Sequence, residues 1–229
     1  MNNQILQGDS LEVLKTLPDE SIDMIFTSPT PYGQGSIGIG SEDKPFTYLI
    51  NLTNIFTEAY RVIKPQGGLW INMSDRHDNE DGLLNSITET FRIYMVNHNP
   101  WQLRNRFIWV RTEKFEMQED YNRAARDWEY ILFFVEDRNH YFNNPKNKVI
   151  SSVIYAPYRP PRGDKFESGF PEEVVNRAIH LGCPKGGTVL DPFADSGLTG
   201  LVAEKMGRNC IMIELDEEKV KKMKIRLGI

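Results

Sequence analysis

The run Thr27-Ser28-Pro29-Thr30-Pro31-Tyr32-Gly33 puts a hydroxyl, two prolines and an aromatic ring directly after a strand-like segment, Asp23 to Phe26. Proline fixes its own φ and donates no backbone hydrogen bond, so such a corner is stiff and leaves nearby carbonyls free to accept from a ligand. Rigid acceptors beside a ring that can stack suit a planar amine. The same residues could equally form a proline-rich loop entry with a partly buried tyrosine. A second run, Val189 to Gly200, reads as a strand, a tight turn and a helix start, with Asp191, Phe193, Asp195, Ser196 and Gly197 in or beside the turn. Glycine there lets a ligand approach the backbone, and the exposed amides of a helix start favour a carboxylate or phosphate. The next strand, Cys210 to Ile213, ends at Glu214, about 20 residues beyond the turn, where doubly wound folds place the acid that receives ribose hydroxyls. The unit is therefore a candidate mononucleoside site. The alternative is that Asp191, Ser196 and Gly197 only cap a helix, while Glu214 joins a solvated acidic run with Asp216, Glu217 and Glu218.

Positioning these groups requires a sheet. Apolar strand-like runs alternate with helix-like ones: Ile22 to Thr27 a strand, Tyr48 to Ile63 a helix, and Gly68 to Met73 a strand. Lys64 to Gly68, with a proline and paired glycines, ends that helix. Phe107 to Arg111 and Tyr130 to Glu136 follow as strands, with a polar surface loop between them. The segment from about 137 to 168 loses periodicity and is expected to be an irregular connection between two halves of one sheet. Pro171 then opens a helix to about Leu181, with Glu172 and Glu173 in its first turn. Thr188 to Leu190, Leu198 to Met206, Cys210 to Glu214 and Glu217 to Leu227 complete a strand, helix, strand, helix series. The pattern implies a single α/β domain with a mostly parallel sheet and helices on both faces.

A nucleotide unit normally opens such a fold, yet this one lies at the C-terminal end, so the N-terminal half must supply the rest of the sheet. The fold is read as circularly rearranged. Ile5 to Ser10 supplies a strand ending in an acidic turn, with Ser10 as the expected cap of a helix over Leu11 to Leu17. Asp9 would then share a sheet edge with Glu214, either accepting from a base amino group or serving only the helix dipole.

The 229 residues carry 32 acidic and 27 basic side chains, a net charge of -5, with 40% hydrophobic and 26% charged residues. That is ordinary for a globular domain and excludes disordered or fibrous classes. Cys183 and Cys210 cannot make a disulfide framework, and no Cys or His spacing reads as a metal site; His77, His98, His140 and His180 are read as structural or surface residues. No export signal opens the chain and no apolar run approaches membrane-spanning length, so a cytoplasmic protein without membrane contact is expected. Arg104, Arg106, Arg123, Arg126, Lys146, Lys148, Arg159 and Arg162 concentrate positive charge mid-chain among aromatic residues, a mixture that can hold phosphates and stack bases. Glu113, Glu116, Glu119, Asp120 and Asp127 offset part of it. Glu129, just before a strand, could line the pocket, but is read as an ordinary surface glutamate.

Taken together, Gly8-Asp9-Ser10, Leu17 to Asp23, Thr27 to Tyr32, Tyr60 to Gly68, Phe170 to Val175, Asp191 to Gly200 and Ile213 to Asp216 resemble, in order, the amino-group DNA methyltransferases of the permuted β type. In that family a [DNS]-P-P-[YFW] catalytic motif precedes an F-x-G-x-G cofactor motif. The resemblance implies a Rossmann-like methyltransferase fold and S-adenosyl-L-methionine as donor. Phe193, Gly197 and the nearby backbone would surround the methionine portion, with Glu214 on the ribose and Asp9 near the adenine. It implies a base flipped from double-stranded DNA, because an exocyclic nitrogen cannot be attacked within the stack. Tyr32 would stack on that base, while the Ser28 side chain and the Pro29 carbonyl accept its amino hydrogens; Pro31 completes the corner.

Two residues depart from the family pattern. Thr30 stands between the prolines, so either the turn bulges or Thr30 takes a polar role. Asp195 stands at the first glycine position, where it is expected to crowd the donor and repel its carboxylate. Within the family it resembles, serine at the first motif position, here Ser28, leans toward cytosine N4, with adenine N6 or an RNA amino group as alternatives. A silent nucleic-acid-binding relative is a further reading; a dinucleotide oxidoreductase is disfavoured by the glycine pattern. The short middle region leaves little room for a recognition domain, so sequence reading would be limited, use loops or need a homodimer. A cognate restriction endonuclease would accompany a modification enzyme.

Overall fold

The protein is described by a computed structural model covering residues 3–76, 83–112, 124–144, 148–157 and 171–229. Arg123, Lys146, Arg159, Arg162 and His77 lie outside the described residues. In chain order the strands are β1 (Asn3–Gln7), β2 (Ile22–Thr27), β3 (Ile63–Met73), β4 (Gln102–Arg111), β5 (Trp128–Val135), β6 (Val153–Ala156), β7 (Thr188–Asp191) and β8 (Asn209–Glu214). The helices are α1 (Ser10–Leu14), α2 (Pro45–Val62), α3 (Ile87–His98), α4 (Glu172–Gly182), α5 (Leu198–Lys205) and α6 (Glu217–Leu227).

The strands form one sheet in the order β1-β8-β7-β2-β3-β5-β4-β6, in which β5 alone runs against the others. Strands buried on both faces need continuous apolar runs, and Ile22, Met24, Ile25 and Phe26 in β2 supply one, each at most 1% exposed. One face is covered by α4, α5 and α6, whose Val175, Ile179, Val202 and Met223 join Met24 and Trp70 in a core. The other is covered by α1, α2 and α3 through Leu14, Leu52, Phe56, Phe91 and Met95. In α4 the apolar positions recur at helical spacing on a polar background, so one stripe faces the sheet. Its Gly182 lies so close to the sheet that a Cβ would stand 2.6 Å from Trp70 Nε1.

The rearranged order follows from β1 and β8. They pair in parallel from Asn3 with Cys210 to Gln7 with Glu214, and the Gly8 amide donates to the Glu214 carbonyl at 3.0 Å. The two ends of the chain thus meet along one sheet edge, with Asp9 and Glu214 on the same carboxyl side.

Four local expectations need correction. Asp9, not Ser10, caps α1: its side chain accepts from the amides of Leu11 and Glu12. A carboxylate at a helix start gains from the dipole as well as from the orphan amides, which a serine hydroxyl does not. The helix α3 was not read from the sequence, because its buried face includes Thr88 while Ile93 and Val96 are exposed, so no clean apolar stripe marks it. The region 137–168 contains the strand β6, which pairs in parallel with β4 from Val153 to Ala156 as a sheet edge; four residues are too few for periodicity to register. Lys64 to Gly67 extend β3 instead of forming only a turn, at the cost of a register shift between Ile22 and Met24 on β2. Among the described residues no helix is long and apolar enough to cross a membrane.

Candidate active site

At the carboxyl edge, Asp191 straps the two chemical corners together. It is 1% exposed and accepts from Thr27 Oγ1 at 2.7 Å, Thr199 Oγ1 at 2.5 Å and the Phe193 amide at 3.1 Å. Those bonds join the end of β2 to the start of α5. Burial pushes its carboxyl up to about 6, against the three hydrogen bonds that favour the ionised form. Asp191 does not line the cavity described below, so its place in the sequence reading changes from ligand contact to strap.

The turn after β7 is held from several sides. Ser10 Oγ donates to the Pro192 carbonyl at 2.6 Å, tying the start of α1 to it. Glu214 accepts from the Asp195 amide on one carboxylate oxygen and from the Asp216 amide on the other, both at 2.9 Å. Its carboxylate is therefore fixed in place. Gly197 adopts φ +73, and a Cβ there would stand 3.0 Å from Met223 Cγ. This glycine serves the turn and the approach of α6; it does not line the cavity. Asp195 has φ +46, so a non-glycine residue does occupy left-handed backbone. Its carboxylate pairs with Lys219 Nζ at 2.7 Å, which neutralises the repulsion expected from the sequence.

The other corner begins where β2 ends. Ser28 Oγ donates to Asn72 Oδ1 at 3.2 Å, and Asn72, 3% exposed, donates through Nδ2 to the Tyr130 carbonyl at 3.0 Å. Pro31 O accepts from the Gln34 amide at 3.1 Å and is spent on the turn, while Pro29 O accepts no hydrogen bond among the described residues. Gly40 packs against this corner so tightly that a Cβ would stand 2.8 Å from both Pro31 O and Thr30 Cγ2. Thr30 thus turns its methyl onto a glycine that leaves room for it. Tyr32 is half-buried, its ring 5.9 Å from that of Tyr48 and its hydroxyl donating to the Asp43 carbonyl at 3.1 Å.

Both corners open into one cavity of about 370 Å³. Ser28, Pro29, Thr30, Pro31 and Tyr32 line one side; Asp9, Ser10, Phe193, Asp195 and Glu214 line the other. Three further lining residues were missed or misjudged from the sequence: Asn72, Lys219 and Glu129. Glu129 is 7% exposed and ion-paired to Arg111, whose guanidinium lies over the Trp109 ring at 5.5 Å. Nothing in the local spacing marks these three, because their partners lie on other strands and helices.

The candidate nucleic-acid contacts scatter. Arg104 and Arg106 are exposed, but the β4–β5–β3 register sets Arg106 level with Leu132 and Ile71, and Arg104 further toward the amino edge, away from the cavity. Arg106 also lies 3.5 Å from Glu89. Arg126 stands at the cavity side, donating to the Asp75 carbonyl at 3.0 Å, and Lys148 is exposed.

Comparison with known proteins agrees with this architecture. Over 94% of its length the chain is 27% identical to the type II methyltransferase M.SmaI of Serratia marcescens, covering 87% of that protein. Over 98% it is 28% identical to the DNA adenine methyltransferase YhdJ of Escherichia coli, covering 82%. The solved PvuII DNA methyltransferase, described as cytosine-N4-specific, superposes with a TM-score of 0.88 at 20% identity, covering 99% of this chain and 86% of that one. A profile of the N6/N4 DNA methylase family matches residues 22–224. With the permuted sheet, the proline corner and the glycine turn on one edge, the chain belongs to that family of DNA methylases.

Proposed function

We propose that this chain moves a methyl group from S-adenosyl-L-methionine to the exocyclic N4 of a cytosine flipped out of duplex DNA. The observation that carries the reading is the shared cavity, which brings Ser28 and Pro29 together with Phe193 and Glu214. The residues present fit the donor: a fixed carboxylate at Glu214 suits ribose hydroxyls, Phe193 offers an apolar surface, and Asp9 and Lys219 supply charges of both signs. When bound, the donor supplies an electrophilic methyl on a sulfonium.

The protein's part is orientation. Asn72 Oδ1 accepts the hydrogen bond from the Ser28 hydroxyl, so the serine lone pairs remain to accept one amino hydrogen, and the open Pro29 carbonyl accepts the other. These bonds turn the nitrogen lone pair out of conjugation and strengthen as positive charge grows on nitrogen, so they count most at the transition state. Tyr32 offers its ring for stacking. Methyl transfer onto a nitrogen held by Ser28 and Pro29 would release one amino proton to solvent. Asp195, which on sequence alone would repel the donor's carboxylate, is paired with Lys219, and Asp191 and Gly197 act by shaping the turn.

Cytosine is preferred because position 28 is serine. Adenine N6 is the second reading, favoured by the similarity to YhdJ, a DNA adenine methyltransferase. The similarity to type II methyltransferases supports a place in a restriction-modification system, acting on DNA in the cytoplasm. Incubation with unmodified DNA and radiolabelled donor, followed by nucleoside analysis, tests the reading. N4-methylcytosine is expected; N6-methyladenine would favour the second reading. DNA binding without label, unchanged in Tyr32→Ala, would point to a silent binding module.

A further inference from the structure

Asp195 breaks the glycine pattern, and the structure supplies it with a partner from another element. Its left-handed backbone is pinned by the hydrogen bond its amide donates to the Glu214 carboxylate, and its side chain reaches toward α6. There Lys219 meets it at 2.7 Å, on a helix start fixed by the Asp216 cap, which accepts from the amides of Glu218 and Lys219. Both side chains line the cavity and both are about half exposed, at 47% and 41%. An ion pair so exposed contributes little to stability, so the fold alone gives scant reason for it.

Charge complementarity gives a better one. Around this end of the cavity stand Asp9, Asp195, Glu214 and Asp216, and Lys219 is the one cation among the described lining residues there; Arg76 belongs to the other end, beside Asn85. A sulfonium donor brings an ammonium, a sulfonium and one carboxylate. The two cations suit the acidic lining, but the carboxylate would meet only like charge without a cation to receive it. We propose that Asp195 and Lys219 form a counter-charged pair that recognises the amino-acid end of the methyl donor, Lys219 taking its α-carboxylate and Asp195 its α-ammonium. A zwitterion is thereby matched by an ion pair already in place, with little reorganisation on binding. This assignment rests on the proposed donor and names the two residues that read its methionine end.

The test is a titration of the full chain with S-adenosyl-L-methionine and with 5′-methylthioadenosine, which keeps the nucleoside but lacks the amino-acid end. Lys219→Met should weaken the first by about 10- to 100-fold, the range for losing a charge-assisted contact, and leave the second within about twofold. Asp195→Asn should show the same selectivity, smaller in size, and Lys219→Arg should retain most of the affinity. Circular dichroism and thermal midpoints confirm that the variants fold, as expected for half-exposed positions. Equal losses for both ligands, or no loss for either, would overturn the assignment. So would unchanged donor affinity with weaker DNA binding, which would make Lys219 a phosphate contact. A folded wild-type chain that binds DNA but neither ligand would overturn the donor itself, and is distinguishable because no variant is then needed.

Discussion

Ser28 donates its hydroxyl to Asn72 Oδ1 while Asn72 is locked by its own bond to the Tyr130 carbonyl, so the serine's rotor is set from two strands away. Without that acceptor the hydroxyl proton could turn into the cavity and face the amino group it should receive from. Asn72→Ala is expected to lower kcat by about 10²-fold while leaving KM for the donor near its wild-type value, the pattern of a lost transition-state contact. Steady-state kinetics with each substrate varied would check it; a rise in KM for the donor with unchanged kcat would contradict the role.

Asp191 carries a sign-definite pH dependence. Burial first, opposed by its hydrogen bonds, raises its folded value from 3.8 to about 6. Between those values the folded state holds more protons than the unfolded one, so this group's contribution falls as pH rises through the window and is smallest above about 6. Stability of the wild type relative to Asp191→Asn should therefore grow as pH drops from 7 to 4, by about 3 kcal/mol at most. Thermal unfolding of both proteins across that range measures it; a constant difference would refute the assignment.

Glu129 and Arg111 form an ion pair with side chains only 10% and 15% exposed. Removing one partner strands a charge, whereas removing both leaves a neutral site. Arg111→Met should cost about 3–5 kcal/mol in urea unfolding, and adding Glu129→Gln should recover part of that loss. Additive losses in the double variant would argue that the pair is not coupled.

Gly40 holds the proline corner from behind at φ +95. Gly40→Ala would drive a methyl into Pro31 O and Thr30, both backbone-linked, and would also strain the left-handed turn. We expect about 1–3 kcal/mol of destabilisation and a fall in kcat larger than in a Gly33→Ala control, whose Cβ would meet nothing within 4 Å. Equal activity in the two variants would show that the corner tolerates displacement.

Much of this architecture was legible in the residues. The strand over Ile22 to Thr27, the helix from Glu217 to Leu227 and the order of the two motifs are local patterns, and they appear where periodicity puts them. The helix α3 and the strand β6 were not, the first because its buried face is partly polar and the second because it is short and held by β4. The basic residues show the limit of composition: charge is visible in a sequence, but the edge of the sheet it stands on is not. Arg104 and Arg106 lie toward the amino side of β4 for that reason.

Residue types and their order determined the family pattern, the stiff corner at Ser28 to Tyr32 and the carboxylate at Glu214, because each depends on backbone preferences within a few residues. Tertiary structure alone decided that Asp191 is a strap, that Asn72 governs Ser28, and that Asp195 has Lys219 for company. Hydrogen bonds and ion pairs act over about 3 Å, and the partners in these are separated by 164, 44 and 24 positions along the chain (191 − 27, 72 − 28 and 219 − 195). Only the packing of the sheet brings such distances down to contact.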